Sequence, residues 1–150
     1  MNITTDVEDP RWATLREVEA LVEDVIAAVL PDDPRNLDVL LTGDAEMRVL
    51  NMQWRGIDKA TNILSFPSPV MPLPGGEVAH LGNLVLAWDT IEREAEAAQK
   101  PLIEHVVHLL VHGMLHLLGY DHEVDAEGDK MEAKETEILV RLGLPDPYAT

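Results

Sequence analysis

The chain is 150 residues long, 46% hydrophobic, and carries 28 acidic against 11 basic residues, for a formal net charge of −17. That length and apolar content are enough for one core, so residues 1–150 are expected to form a single domain. Cysteine is absent, which excludes a disulfide framework and thiolate metal ligands; with no apolar leader and no uninterrupted run of about 18 apolar residues, a cytoplasmic protein that does not span a membrane is expected.

Residues 2–7 read as a first strand. Thr14-Leu15-Arg16-Glu17 has the form of a capping box that starts a helix running to about Leu30, with Leu15, Val18, Val22, Val25 and Val29 on its apolar face. Prolines at 31 and 34 end it, 37–42 reads as a strand, and Asp44 is placed to cap a second helix to about Trp54. Residues 61–66 form a short strand stopped by Pro67, and the proline- and glycine-rich loop 67–76 is expected to be the most flexible element. A strand at 81–87 precedes a helix capped by Asp89 with Glu92 and ended before Pro101; the histidine-rich helix follows. A last amphipathic helix, roughly 126–142, puts Met131, Ile138 and Leu142 on one side, and its glutamates read as a solvated face. This order predicts a compact α+β domain, a small mixed sheet packed by about five helices.

A net charge this acidic repels nucleic-acid phosphate. The acids, however, crowd into 17–24, 92–96 and 123–137, whereas Arg48, Arg55 and Lys59 share a middle segment. A local basic patch for RNA is therefore open, beside the reading of Arg48 and Lys59 as solvated surface charges.

Residues 112–122, HGMLHLLGYDH, space His112, His116 and His122 as HxxxHxxGxxH. Residues four apart share a helix face, and Gly119 can close the helix in the left-handed conformation so that the following turn returns His122 as a third ligand. Three neutral imidazoles and one open position form a catalytic zinc site, one ion per chain, on a central helix and the turn after it. The spacing is zincin-like, but Gly113 stands where metallopeptidases of that class carry their glutamate base, which weakens a peptidase reading without removing it. His105 and His108 extend the same face and read either as structural and orienting residues or as substrate contacts.

Together with residues 51–67, NMQWRGIDKATNILSFP, the histidine motif resembles the YbeY family of bacterial endoribonucleases, and the match covers nearly the whole chain. The resemblance implies a zincin-like fold, zinc on the histidine motif, and an arginine, matched by Arg55, that lies near the metal and supports activity. It implies a single-strand-specific endoribonuclease of rRNA processing, acting at the 3′ end of 16S rRNA and in ribosome quality control. The partners implied are RNA, chiefly ribosomal RNA, with small-subunit or other proteins. The chain departs from the family's usual Leu-Gly-Asp at Leu81-Gly82-Asn83, where an amide keeps the shape and loses the charge. Arg55's planar fork suits phosphate oxygens. The general base is unassigned: Asp121 and Glu123 flank His122, with Asp121 expected to act through turn hydrogen bonds. Lys59, Ser65 and Phe66 are candidates for a substrate groove, against a core role for Phe66 and backbone satisfaction by Ser65. A ribosome-associated factor without catalysis, its zinc securing the fold, is the remaining alternative.

Overall fold

The computed structural model describes residues 1–68, 80–120 and 125–145, with side chains from 129 onward in the last stretch. The chain contributes β1 (Asn2–Val7), β2 (Asn36–Thr42), β3 (Ile63–Pro67) and β4 (His80–Ala87) to a sheet ordered β1-β2-β4-β3. The strands β1, β2 and β4 run parallel, and β3 lies antiparallel to β4 on the edge. Among the described residues the helices are α1 (Val18–Val29), α2 (Asp44–Arg55), α3 (Trp88–Ala97), α4 (Leu102–Leu117) and α5 (Asp125–Arg141), with a short 3-10 helix, Pro10–Thr14, ahead of α1. The expected α+β class with a mixed sheet and five helices is what the chain forms.

Alternation along the strands assigns the faces. Leu37, Val39 and Leu41 of β2 are buried on the side of α1 and α4, together with Leu84 and Leu86 of β4. Val85 and Ala87 of β4 point the other way and pack with Leu64 and with Met47 of α2. Because β4 is covered on both faces, its sequence from 84 to 87 is continuously apolar rather than alternating. The helix α4 is the hub, in contact with α1, α3, α5, β3 and β4.

Gly113 makes that seating possible. A Cβ built there would stand 2.7 Å from Ile63 Cδ1 and 3.0 Å from Leu84 Cδ2, so α4 approaches the sheet closely only because this residue has no side chain. The position after His112 thus faces the sheet, and a glutamate base has no room there.

The caps expected from short-range sequence do not form. Thr14 ends the 3-10 helix and its hydroxyl donates to the Arg11 carbonyl at 2.6 Å, while Glu17 is left-handed with φ 53° and α1 starts only at Val18. The buried Trp12, whose Nε1–H donates to the Thr42 carbonyl at 2.8 Å, anchors this segment to β2 and overrides the local preference. Asp44 and Asp89 lie inside their helices' first turns and cap across: the Asp44 N–H donates to Asp89 Oδ2 at 2.9 Å, and the Thr90 N–H donates to Asp44 Oδ1 at 3.1 Å. Glu92 is exposed and takes no part. Arg11 grips Asp9 at 2.7 Å and Asp89 at 2.6 Å, and Arg93 grips Asp44 at 2.9 Å. The Arg11 hydrogen bonds hold the Asp89 carboxyl down to about 2, that of Asp9 below its ordinary value, and Arg11 itself above its own.

The last helix also differs from expectation. Its glutamates do not all face solvent, because Glu135 is wholly buried between Met131 and Ile138. The loop expected at 67–76 lies outside the described residues from position 69 on. No described helix is long and apolar enough to cross a membrane.

Candidate metal centre and its surroundings

From Val106 to Leu117 every residue of α4 is buried except His108, His112 and His116. A helix in contact with partners on nearly all sides should be apolar nearly all round, and this one is, apart from a single stripe of imidazoles at the four-residue step. The stripe closes only at its C-terminal end. His112 and His116 stand with ring centroids 4.6 Å apart and Nε2 atoms 3.1 Å apart, whereas His108 and His112 are separated by 6.4 Å between centroids.

Two nitrogens each ~2.0–2.1 Å from one ion at a tetrahedral angle stand roughly 3.3–3.4 Å apart, so the Nε2 pair is already near the spacing that a shared zinc requires. The helix then ends as the motif requires: Gly119 has φ 98°, the Tyr120 N–H donates to the Leu115 carbonyl at 3.0 Å, and the Gly119 N–H donates to the His116 carbonyl at 3.0 Å. That Schellman arrangement sends the chain out of the helix two residues before His122. His122, Asp121 and Glu123 themselves lie outside the described residues. Among the described residues no group of three ligating side chains converges.

Carboxylates meet His105, His108 and His112. His108 Nε2 lies 3.1 Å from Glu135 Oε2, and His112 Nδ1 lies 2.5 Å from Glu135 Oε1. His105 Nε2 lies 2.9 Å from Glu94 Oε1, the same carboxylate that receives the Asn62 side-chain amide at 3.0 Å at the start of β3. Burial lowers the His105 pKa despite that carboxylate. His105 and His108 thus each bond to a carboxylate of a neighbouring helix. Glu135 went unnoticed in the sequence, yet it carried a signal: it sits within the apolar stripe of Met131, Ile138 and Leu142, where a solvated carboxylate has no place.

Arg55 is the last residue of α2. Its Nη2 donates to the Ser65 carbonyl on edge strand β3 at a long 3.5 Å, and its guanidinium carbon lies 6.0 Å from the Phe66 ring centre. The Ser65 hydroxyl in turn donates to the Gly113 carbonyl at 3.3 Å, so one residue of β3 links Arg55 to the helix turn that carries His112. Phe66 is half-buried against the smaller core on the α2 face and 6.1 Å from the exposed Trp54 ring. The basic patch is narrower than expected. Arg48 is bound by Asp58 at 2.6 and 2.9 Å, which leaves its charge compensated, whereas Lys59 is exposed and its backbone carbonyl accepts from the Asn51 amide at 2.7 Å. Asn83 stands in register with Asp38 and Phe66 and helps line a groove of about 690 Å³ on the α2 face of the sheet.

Comparison with known proteins agrees with this architecture. The family described as endoribonuclease YbeY matches residues 3–143. The endoribonuclease YbeY of Sinorhizobium fredii is 46% identical over 162 residues, covering 99% of this chain and 92% of its own, and that of Bradyrhizobium sp. strain BTAi1 is 51% identical over 147 residues, covering 96% and 85%. A solution structure of a Thermotoga maritima protein shares the fold, with a TM-score of 0.56 at 22% identity over 99% of both chains. A matched span that takes in both β3 with Arg55 before it and the histidine helix, at these identities, means that the chain belongs to the YbeY endoribonuclease family.

Proposed function

We propose that this chain cuts single-stranded RNA in ribosomal RNA processing, at the 3′ end of the small-subunit RNA, using one zinc ion held by His112, His116 and His122. The observation that carries the reading is the imidazole stripe: in a stretch of α4 otherwise wholly buried, two histidines bring their Nε2 atoms to 3.1 Å of each other. When bound, zinc supplies Lewis-acid polarisation of a phosphoryl oxygen and acidifies water at an open coordination position to a pKa of ~7.

The chain's own residues supply the rest. Arg55 binds the scissile phosphate through its planar fork and stabilises charge that builds on the phosphoryl oxygens. Its contact to the Ser65 carbonyl, at 3.5 Å, is weak enough to be exchanged for a phosphate oxygen. The acidic remainder of the surface favours protein partners of the small subunit that present the RNA. The whole chain acts as one domain, in the cytoplasm. Gly113, which faces the sheet at contact distance, removes the glutamate base on which the peptidase reading depends.

The test is cleavage of a small-subunit rRNA 3′-end fragment by zinc-loaded protein, beside Arg55→Ala, a chelator-treated sample and a peptide substrate. RNA cutting that stops on chelation, returns with zinc and falls about 100-fold or more in Arg55→Ala is expected. Products ending in 2′,3′-cyclic phosphate would assign the attack to the RNA 2′-hydroxyl, and 5′-monophosphate with 3′-hydroxyl ends to water. Cutting that is indifferent to metal, or of peptide alone, overturns the reading.

A further inference from the structure

Among the described residues Glu135 is the only charged side chain that is fully buried. An isolated carboxylate in an apolar interior is costly, so this one must be compensated. Its two oxygens are divided between two imidazoles of α4, Oε1 to His112 and Oε2 to His108. The two rings use opposite atoms: His112 presents Nδ1 at 2.5 Å, and His108 presents Nε2 at 3.1 Å. If the carboxylate is ionised it only accepts, and each of these nitrogens then carries the proton. For a neutral His112 ring that leaves the lone pair on Nε2, the atom 3.1 Å from His116 Nε2. A mere pin between α4 and α5 works equally well with either nitrogen of His112; the one used here is the one that turns the lone pair to the proposed ion.

We propose that Glu135 is a positioning residue for the metal centre. It holds His112 in the Nδ1–H form with its ring orientation fixed, and His108 occupies the second oxygen, orienting the carboxylate instead of joining the ligand set. Glu135 also ties α5, which begins at Asp125, to α4, so the helices on both sides of the residue-122 ligand are joined at one point. The inference rests on the reading that His112 and His116 bind the ion.

The experiment measures zinc affinity by competition with a chromophoric chelator, and the visible spectrum of the cobalt-substituted protein, on the full chain. Wild type is compared with Glu135→Gln, Glu135→Leu, His112→Ala, His116→Ala and the exposed-site control Glu132→Gln. Expected is zinc affinity lower by about 10- to 100-fold in Glu135→Gln, with an altered cobalt spectrum, an apo circular-dichroism spectrum like wild type, and RNA cleavage that returns when zinc is raised to saturation. Glu132→Gln behaves as wild type. Imidazole 15N shifts of the zinc-loaded wild type give a second test that no folding failure can blunt, and they should show the proton of His112 on Nδ1. Wild-type affinity and cobalt spectrum in Glu135→Gln, or a proton on His112 Nε2, overturns the assignment. If His112→Ala and His116→Ala also keep full zinc affinity, the metal reading fails with it; if they lose zinc while Glu135→Gln does not, only the role of Glu135 fails.

Discussion

Two polar clusters tie helices together in this molecule, and they are closed in different ways. At the starts of α2 and α3, Asp9, Arg11, Asp44, Asp89 and Arg93 alternate in sign, and each carboxylate meets a guanidinium or a backbone N–H. On α4 and α5, Glu135 binds two imidazoles, and the chain of contacts then runs on to two Nε2 atoms that face each other at 3.1 Å. Opposite charges facing each other complete a structure; two imidazole nitrogens facing each other can share a proton or, as proposed above, a cation. Both clusters are dense in titratable groups, so density alone does not mark a site. What the proposed site adds is a pair of like ring nitrogens at 3.1 Å.

The strongest way to break this distinction is to remove one member from each cluster. His116→Ala should keep the fold and lose RNA cleavage by about three orders of magnitude or more, together with bound zinc. Arg11→Ala should do the reverse, with cleavage near wild type and a lower melting temperature, because Asp9 and Asp89 lose the partner that holds their carboxyls ionised. Cleavage rates, metal content by atomic absorption and melting curves on the two variants decide it. Loss of cleavage in Arg11→Ala at full metal content would mean that the two clusters are coupled.

The Gly113→Ala substitution probes the floor beneath the metal helix rather than either cluster. The added methyl meets the Ile63 and Leu84 side-chain ends inside contact distance, so these must repack or α4 must lift from the sheet. Overpacking of this kind costs about 1–3 kcal/mol, partly offset by the better helix propensity of alanine, about 1 kcal/mol. Urea melts should show a net loss of up to about 2 kcal/mol. A gain in stability would mean that α4 rides loosely on β3 and β4, and then the Arg55–Ser65–Gly113 linkage has no fixed geometry to transmit.

What the sequence made legible was local. The first strand, the strand at 37–42, the apolar stripe of α1 and the left-handed Gly119 all depend on residues within a few positions of one another, and all are found in the fold. The caps were misread because their partners are distant: Asp44 and Thr90 are 46 residues apart, and no window of sequence contains both. The sheet order and the seating of α2 on the opposite face were hidden for the same reason. The histidine pair was legible from spacing alone, and Glu135 was not, since a carboxylate in a glutamate-rich helix reads as solvent-facing until its neighbours at 131 and 138 are seen to be buried. Arg48 looked like part of a basic patch because the charge that cancels it, Asp58, reaches it across the end of α2.

Acid titration sharpens the contrast by separating the groups in pH. The His105 pKa is lowered in the fold from 6.5, so the unfolded chain takes up a proton first and stability falls as pH drops from about 6.5 through the folded value. The lowered carboxyls of Asp9 and Asp89 stabilise the fold above about 4, and that contribution is lost as pH falls toward 2. Melting temperatures of the apo protein should therefore decline in two stages. The first is removed by His105→Gln and the second is reduced by Arg11→Ala; a single stage, or a first stage that persists in His105→Gln, would show that other groups govern the acid limb.

The smallest effect is expected from Asn83→Asp, which adds a charge where neither cluster reaches. Asn83 shares a face with Val85, away from α4, and stands in register with Asp38 on β2, whose carboxylate lies 3.0 Å from His80. A second carboxylate beside Asp38 sets like charges on neighbouring strands, a cost of roughly 0.2–1 kcal/mol. Zinc affinity should stay within about threefold of wild type, since the residue faces the groove on the α2 side while the imidazole stripe belongs to the helix packed on the other; cleavage should do the same unless Arg55, which stands by Asn83's register partner Phe66, senses the added charge. If cleavage changes by more than that, the groove on the α2 face takes part in handling RNA, and the amide at position 83 adjusts the active site rather than merely sparing Asp38 a like-charged neighbour.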